Sequence, residues 1–255
     1  MDFTATLSGF GVGVIVGMTG VGGGSLMTPL LLTVFKLNPA VAIGTDLWFA
    51  AVTKSAGAAS HHWSGHVDWR IAHLLLVGSV PAAVATLALM HFTGFSQAWA
   101  SALTSSLGIA LLLTAIVVAN QKRWHALGLR IERRIAPSLK PVLTVLCGLV
   151  LGVLVSLSSI GAGAIGAALI MLLYPRLEPH RVVGTDIAHA VPLTLVAGVG
   201  HATLGHVDWA LLLALLVGSI PGISLGAQLT RLIPEPVMRT LLAVSLATAG
   251  LKVIH

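Results

Sequence analysis

The sequence contains a single cysteine, Cys147, set in an apolar run. One thiol excludes an internal disulfide and a thiolate metal cluster. Charge is also scarce. Only 9% of the residues are Asp, Glu, Lys or Arg, against about 25% in a soluble domain. An ordinary water-soluble globule is therefore excluded. No Gly-Lys-Ser/Thr turn follows a strand pattern, which excludes phosphate-loop chemistry. The opening residues Met1-Asp2-Phe3-Thr4 lack the positive stretch of a cleaved signal, so the first apolar segment is expected to be retained.

What is abundant is apolar. Hydrophobic residues make up 56% of the chain, and the mean hydropathy is +0.97. This composition belongs to an all-α integral membrane protein, since bundled helices satisfy their own backbone groups in lipid. The net charge of +6 reads as membrane topology, with no nucleic-acid partner expected.

The chain repeats itself at an offset of 140 residues. Gly44-Thr45-Asp46 recurs as Gly184-Thr185-Asp186, and His61 as His201. Gly65-His66-Val67-Asp68-Trp69 recurs as Gly205-His206-Val207-Asp208-Trp209, and Gly78-Ser79-Val80-Pro81 as Gly218-Ser219-Ile220-Pro221. Residues 1–119 form one repeat and residues 141–255 the other. Each carries four apolar segments, at about 5–35, 40–62, 71–91 and 97–119, and at about 141–174, 181–203, 209–230 and 236–254. A span needs about 20 helical residues. The linker 120–140 holds Lys122, Arg123, Arg130, Arg133, Arg134 and Lys140 against one acid, Glu132. It is expected on the cytoplasmic side of the inner membrane, in a multi-pass chain.

The first segment of each repeat is broken. Gly17, Gly20, Gly22, Gly23 and Gly24, with Thr19 and Ser25, interrupt the first run. Ser158, Ser159, Gly161 and Gly163 interrupt the second. Glycine weakens a helix interior, so each run reads as two half-helices, the later of the first pair starting near Ser25. If all eight segments spanned, eight basic residues would lie inside and five outside. If each broken segment is a re-entrant hairpin, the count is eleven inside and two outside. The second distribution fits the positive-inside rule better. It gives each repeat three full spans, so the repeats are inverted. Paired interruptions at matching positions mark a transport site, because half-helix N-termini offer unpaired N–H groups to an anion.

The second segment places Asp46, Ala50, Lys54, Gly57 and His61 on one helix face, and Asp186, Ala190, Thr194, Ala197 and His201 match them in the other repeat. Lys54 is the one basic residue far from either end of a span. It is read as an anion ligand, with an ion pair to Asp46 as the bland alternative. Asp46 and Asp186 sit near segment starts, where helix N-capping is favoured over a coupling role. His61 and His201 could donate to an oxyanion or be interfacial. Asp68 and Asp208 beside Trp69 and Trp209 read as caps with an aromatic belt. No zinc-type spacing is complete, so no metal or cofactor is expected.

Residues 17–29, the paired Gly-Thr-Asp and the paired Gly-His-Val-Asp-Trp resemble the sulfite exporter TauE/SafE family of membrane transporters. The resemblance covers nearly the whole chain, although the second break carries fewer glycines than the first. It implies transport, expected as export, of a small sulfur-containing anion such as sulfite, sulfoacetate or another organosulfonate. The expected mechanism is alternating access around a midplane site. The candidate ligands are Thr19, Gly20, Gly22, Gly23, Gly24, Ser25, Lys54, His61, Ser158, Ser159, Gly161, Gly163 and His201. An anion channel and thiosulfate or sulfate uptake are the alternatives. The lipid bilayer is a partner, with a homodimer as a candidate assembly.

Overall fold

A computed structural model describes residues 3–19, 24–94, 96–229 and 235–254. Its long elements are α1 (Phe3–Thr19), α2 (Gly24–Thr33), α3 (Pro39–Trp63), α4 (Trp69–Thr93), α5 (Gln97–Ala119), α6 (Gln121–Glu132), α7 (Lys140–Ser158), α8 (Ala164–Leu173), α9 (Pro179–Thr203), α10 (Trp209–Leu229) and α11 (Glu235–Ile254). There is no strand among the described residues. Among the described residues, five helices are long and apolar enough to cross a membrane. Large apolar side chains such as Val77 and Leu213 stand more than 60% exposed on them. Apolar surface of this extent needs lipid. The protein is a multi-pass, all-α membrane protein.

The repeated Gly-His-Val-Asp-Trp stretch starts a helix twice. Gly65 and Gly205 adopt φ of 70° and 76°, which closes the turn after α3 and after α9. Asp68 then accepts the Ile71 N–H at 3.2 Å, and Asp208 accepts the Leu211 N–H at 3.0 Å. These are side-chain N-caps of α4 and α10. Trp69 and Trp209 follow at the first helical position, about half exposed.

α3 and α9 form an antiparallel pair. Trp48 Nε1 donates to Gly198 O at 2.9 Å, and Gly57 faces Ile187. Flanking them, α1 runs parallel to α10 and α4 runs parallel to α7. A Cβ on Gly9 would lie 2.8 Å from Leu215 Cα, and one on Gly13 would lie 2.8 Å from Ser219 Cα. In the other pair, Gly148 and Gly152 meet Leu75 and Ser79 in the same way. Leu75 and Ser79 precede Leu215 and Ser219 by the 140-residue offset, and Gly9 and Gly13 precede Gly148 and Gly152 by 139. The two crossings are one contact made twice, with backbones brought together by small residues.

Both broken segments return to the end they came from. The Thr144 hydroxyl, in the first turn of α7, lies 2.8 Å from the hydroxyl of Tyr174, just past α8. α6 is a helix within the linker, unforeseen in the sequence. Its Gly128 lies against Met171 and Leu172 at the end of α8. The α7–α8 hairpin therefore opens on the linker side. For α1–α2 the geometry is indirect. α1 starts where α10 starts, Asp208 at the head of α10 docks on Thr45 near the head of α3, and α2 leads into α3. The two hairpins enter from opposite ends of the molecule, because the heads of α3 and α9 lie at opposite ends of an antiparallel pair.

Candidate functional site

The described break lies between α7 and α8. Ser158 ends α7 by donating to Leu154 O at 2.7 Å and accepting the Ile160 N–H at 3.2 Å. Ser159 takes a left-handed conformation with φ of 59°. Gly161 and Gly163 follow with φ of 127° and 145°, which only glycine adopts without strain. Gly166 N–H reaches back to Gly161 O, and Ala167 N–H reaches Gly163 O. The ladder of α8 thus starts at Gly166, with the amides of Ala164 and Ile165 ahead of it. Gly163, at the N-cap position, supplies no side-chain cap. A helix start left open in this way carries partial positive charge.

Lys54 arrives at this point from the other repeat. Its ammonium donates to Ala162 O in the break. Its charged neighbours are two carboxylates, Asp186 and Asp46. All three side chains are buried, Asp46 at 0%, Asp186 at 2% and Lys54 at 8% exposure. None of them forms an ion pair within 4 Å among the described residues. Thr28 donates to Asp46 Oδ2. Asp46 Oδ1 and Asp186 Oδ1 have no hydrogen-bond partner among the described residues, and the Ser159 hydroxyl lies beside the Asp46 carboxylate. Asp186 packs on Gly166, in the first turn of α8. Unpartnered buried oxygens are rare and costly. Two carboxyl groups and one amino group stand where a hairpin tip leaves amides open.

The expected ligands divide. Lys54, Ser159, Gly161 and Gly163 meet at the break. Ser158 is also there, but its hydroxyl is spent on capping α7. Gly20, Gly22 and Gly23 lie outside the described residues. Thr19 ends α1, and Gly24 and Ser25 begin α2. His61 lies about 10 Å further along α3 than Lys54, two turns at 1.5 Å per residue. It clusters with His66, whose ring centroid is 5.7 Å away. His201 donates from Nε2 to Ser156 O at 2.9 Å, and its Nδ1 faces His206 Nδ1 at 3.4 Å. Both histidines thus serve the corners where the repeats meet.

Asp46 and Asp186 are not N-caps. α3 starts at Pro39, with Asn38 accepting the Ala40 N–H at 3.0 Å, and α9 starts at Pro179. The carboxylates therefore lie two turns inside their helices, free to face the interior. One residue of the centre has no counterpart in the sequence reading. His189, 0% exposed, sits one turn after Asp186, within electrostatic reach of Lys54. The other repeat has Phe49 at the matching position, and that mismatch was the available signal. Among the described residues, no group of three or more His, Cys, Asp or Glu is placed to hold a metal ion.

Known proteins place this architecture. The chain matches the model of the sulfite exporter TauE/SafE family over residues 5–253. It is 37% identical over 265 aligned residues to the "Probable membrane transporter protein YjnA" of Bacillus subtilis (strain 168), covering 100% of both chains. A second protein of that organism, "Probable membrane transporter protein YdhB", is 31% identical, covering 96% of this chain and 97% of its own. "Probable membrane transporter protein MJ0441" of Methanocaldococcus jannaschii is 25% identical, over 95% and 91%. No solved structure matches. By its family and its relatives, the chain is a membrane transporter and not an enzyme. With a matching family model over almost its whole length and relatives that align end to end, it belongs to the sulfite exporter TauE/SafE family.

Proposed function

We propose that this protein is a secondary transporter that exports a small sulfur-containing anion, sulfite or an organosulfonate such as sulfoacetate, by alternating access. The observation that carries the reading is the meeting of Lys54 with the tip of the α7–α8 hairpin. A cation from one repeat reaches the Ala162 carbonyl, just ahead of the half-helix that starts at Ala164 in the other. Together they offer a full charge and directed N–H donors to an oxyanion. Because Lys54 and the break belong to different repeats, rocking one repeat against the other would make and unmake the site, as alternating access requires.

Asp46 and Asp186 are the coupling groups in this proposal. An anion entering beside two carboxylates and one ammonium would leave uncompensated buried charge unless protons enter with it. The linker and the opening of α7–α8 face the cytoplasm of the inner membrane, by the distribution of basic residues. A pocket of 360 Å³ on that side, bordered by Arg70, Lys140 and Arg176 with Asp68 and Glu132, would draw anions towards the hairpin.

The test is flux from proteoliposomes loaded with sulfite, sulfoacetate, thiosulfate or sulfate, with and without an imposed pH gradient. Saturable efflux of sulfite or sulfoacetate that responds to the gradient is expected. Flux of none of these anions, or a conductance indifferent to the gradient, would overturn the proposal.

A further inference from the structure

The repeats differ chemically at two buried positions of the centre. Lys54 stands opposite Thr194 in the repeat alignment, and His189 stands opposite Phe49. Both differences add a nitrogen. The His189 ring has one partner among the described residues, the Ser79 hydroxyl, 2.9 Å from Nε2. Its Nδ1 is buried without a partner among the described residues.

The hydroxyl's own bonding leaves its proton available to the ring. Most helix-borne hydroxyls in this chain donate to a carbonyl three or four residues back. Thr86 does so to Ala82 O, Thr194 to Ala190 O, and Ser219, the counterpart of Ser79, to Leu216 O at 3.2 Å. Ser79 has no such bond. If it accepted from Nε2–H, Nδ1 would present a bare lone pair, which repels an anion. If it donates to Nε2, Nδ1 carries an N–H that an anion can accept. A ligand role for the ring therefore requires the second arrangement.

We propose that His189, held by Ser79 as the Nδ1–H tautomer, is a second direct ligand of the transported oxyanion, facing it from α9 while Lys54 faces it from α3. This rests on the transport reading above. It gives the buried Nδ1 an acceptor. It also makes the site selective, because two donors on different helices suit an anion with several oxygens better than a halide.

The experiment is binding of sulfite, with chloride as the comparison ion, to the full chain in detergent. Variants are His189→Phe, the residue the other repeat already packs there, His189→Asn, whose amide N–H reproduces the Nδ1 donor, and Ser79→Ala. His189→Phe should weaken sulfite binding about 10- to 100-fold, as loss of a hydrogen bond to a charged partner does, and leave chloride unchanged. His189→Asn should stay within a few-fold of the wild type, and Ser79→Ala should fall between. Nitrogen NMR of labelled histidine should give an Nδ1-protonated ring that shifts on adding sulfite and disappears in His189→Phe. Wild-type affinity in His189→Phe or Ser79→Ala would overturn the inference, as would an Nε2-protonated ring. If His189→Phe does not fold, Ser79→Ala and the ring spectrum decide. Wild-type protein that binds neither sulfite nor sulfoacetate put in its place would instead remove the transport reading together with this one.

Discussion

Thr45 accepts the backbone N–H of Asp208 at 3.0 Å, and in the mirrored place Thr185 accepts the N–H of Asp68 at 2.9 Å. Each Gly-Thr-Asp therefore docks on the Gly-His-Val-Asp-Trp of the opposite repeat. The glycine admits the loop: a Cβ on Gly184 would fall 2.6 Å from His66 O, and Gly44 lies against His206 O in the same way. The threonine receives the amide, and the aspartate is left to face inward. Thr45→Val and Thr185→Val keep the shape and remove the acceptor. Each should cost about 1–3 kcal/mol, the penalty of an orphaned buried donor. The two sites lie at opposite ends of α3 and α9, so the double variant should lose the sum. Thermal melting in detergent measures this. Two losses that fail to add would mean that the corners act as one unit.

The α1–α10 crossing makes glycine substitutions differ in sign along a single helix. Nothing lies within 4 Å of a Cβ placed on Gly11, whereas one on Gly13 would overlap the backbone at Ser219. Gly11→Ala should leave stability unchanged or raise it by about 0.5–1 kcal/mol, through helix propensity. Gly13→Ala should lower it by about 1–3 kcal/mol, because α1 and α10 must separate. Paired melting curves check this, and equal melting of the two variants would contradict the crossing.

Lys54 is the sole cation placed among the buried carboxylates of the described residues. Lys54→Thr supplies the second repeat's residue and leaves Asp46 and Asp186 without a counter-charge. Anion flux should fall at least about tenfold, the scale of one charge-assisted bond, and the variant should be less stable. Adding Asp186→Asn removes one of the stranded charges. The double variant should regain stability without regaining flux. Flux that returned with stability would make Lys54 a structural ion-pair partner, the bland alternative that the sequence left open.

Glu132 joins three elements at the linker side. It binds Lys140 at the head of α7 and Arg176 beyond α8, each at 3.0 Å. The Lys140 hydrogen bond holds its carboxyl below the ordinary value of 4.5, with the charges of Lys140 and Arg176 acting in the same direction. A lowered folded-state value means that the contribution is complete above about pH 4.5 and fades as pH falls through the folded value. Hydrogen exchange at the end of α8 should accelerate selectively in that acid range. Glu132→Gln should exchange faster at neutral pH and lose the acid step. An unchanged acid step in the variant would assign it to another group.

Hydropathy and the 140-residue repeat made the architecture legible, since lipid leaves helices few alternatives. The hairpin reading came from counting basic residues, and the Thr144–Tyr174 contact gives the α7–α8 pair that shape. Capping misled the reading of Asp46, because a Thr-Asp pair near a segment start satisfies local rules wherever it falls. The helix in fact begins earlier, at Asn38-Pro39, and tertiary docking claims the threonine. His189 was illegible because a lone histidine in an apolar run has no local signature. It is exposed only by setting the repeats side by side. The close-packing glycines, Gly218, Gly222 and Gly226 above all, carry a spacing of four that was present in the sequence and went unused.

Ser159 separates strain from binding. Its φ of 59° is left-handed, a conformation that costs a side-chain-bearing residue about 1–2 kcal/mol. Glycine stands at the matching position of the first repeat, Gly20, when the breaks are aligned on Gly22 and Gly161. A chain free to choose for stability would use glycine at both. Ser159→Gly should therefore raise the melting temperature, by relieving up to about 1–2 kcal/mol, while the centre loses the hydroxyl that lies beside Asp46. If that hydroxyl contributes to binding or coupling, the variant is more stable and transports more slowly, the combination expected where strain is kept for function. Measuring melting and sulfite flux on the same preparation decides it. A variant both more stable and equally active would leave the serine with no role in transport and move the weight of the break to its glycines and to Lys54.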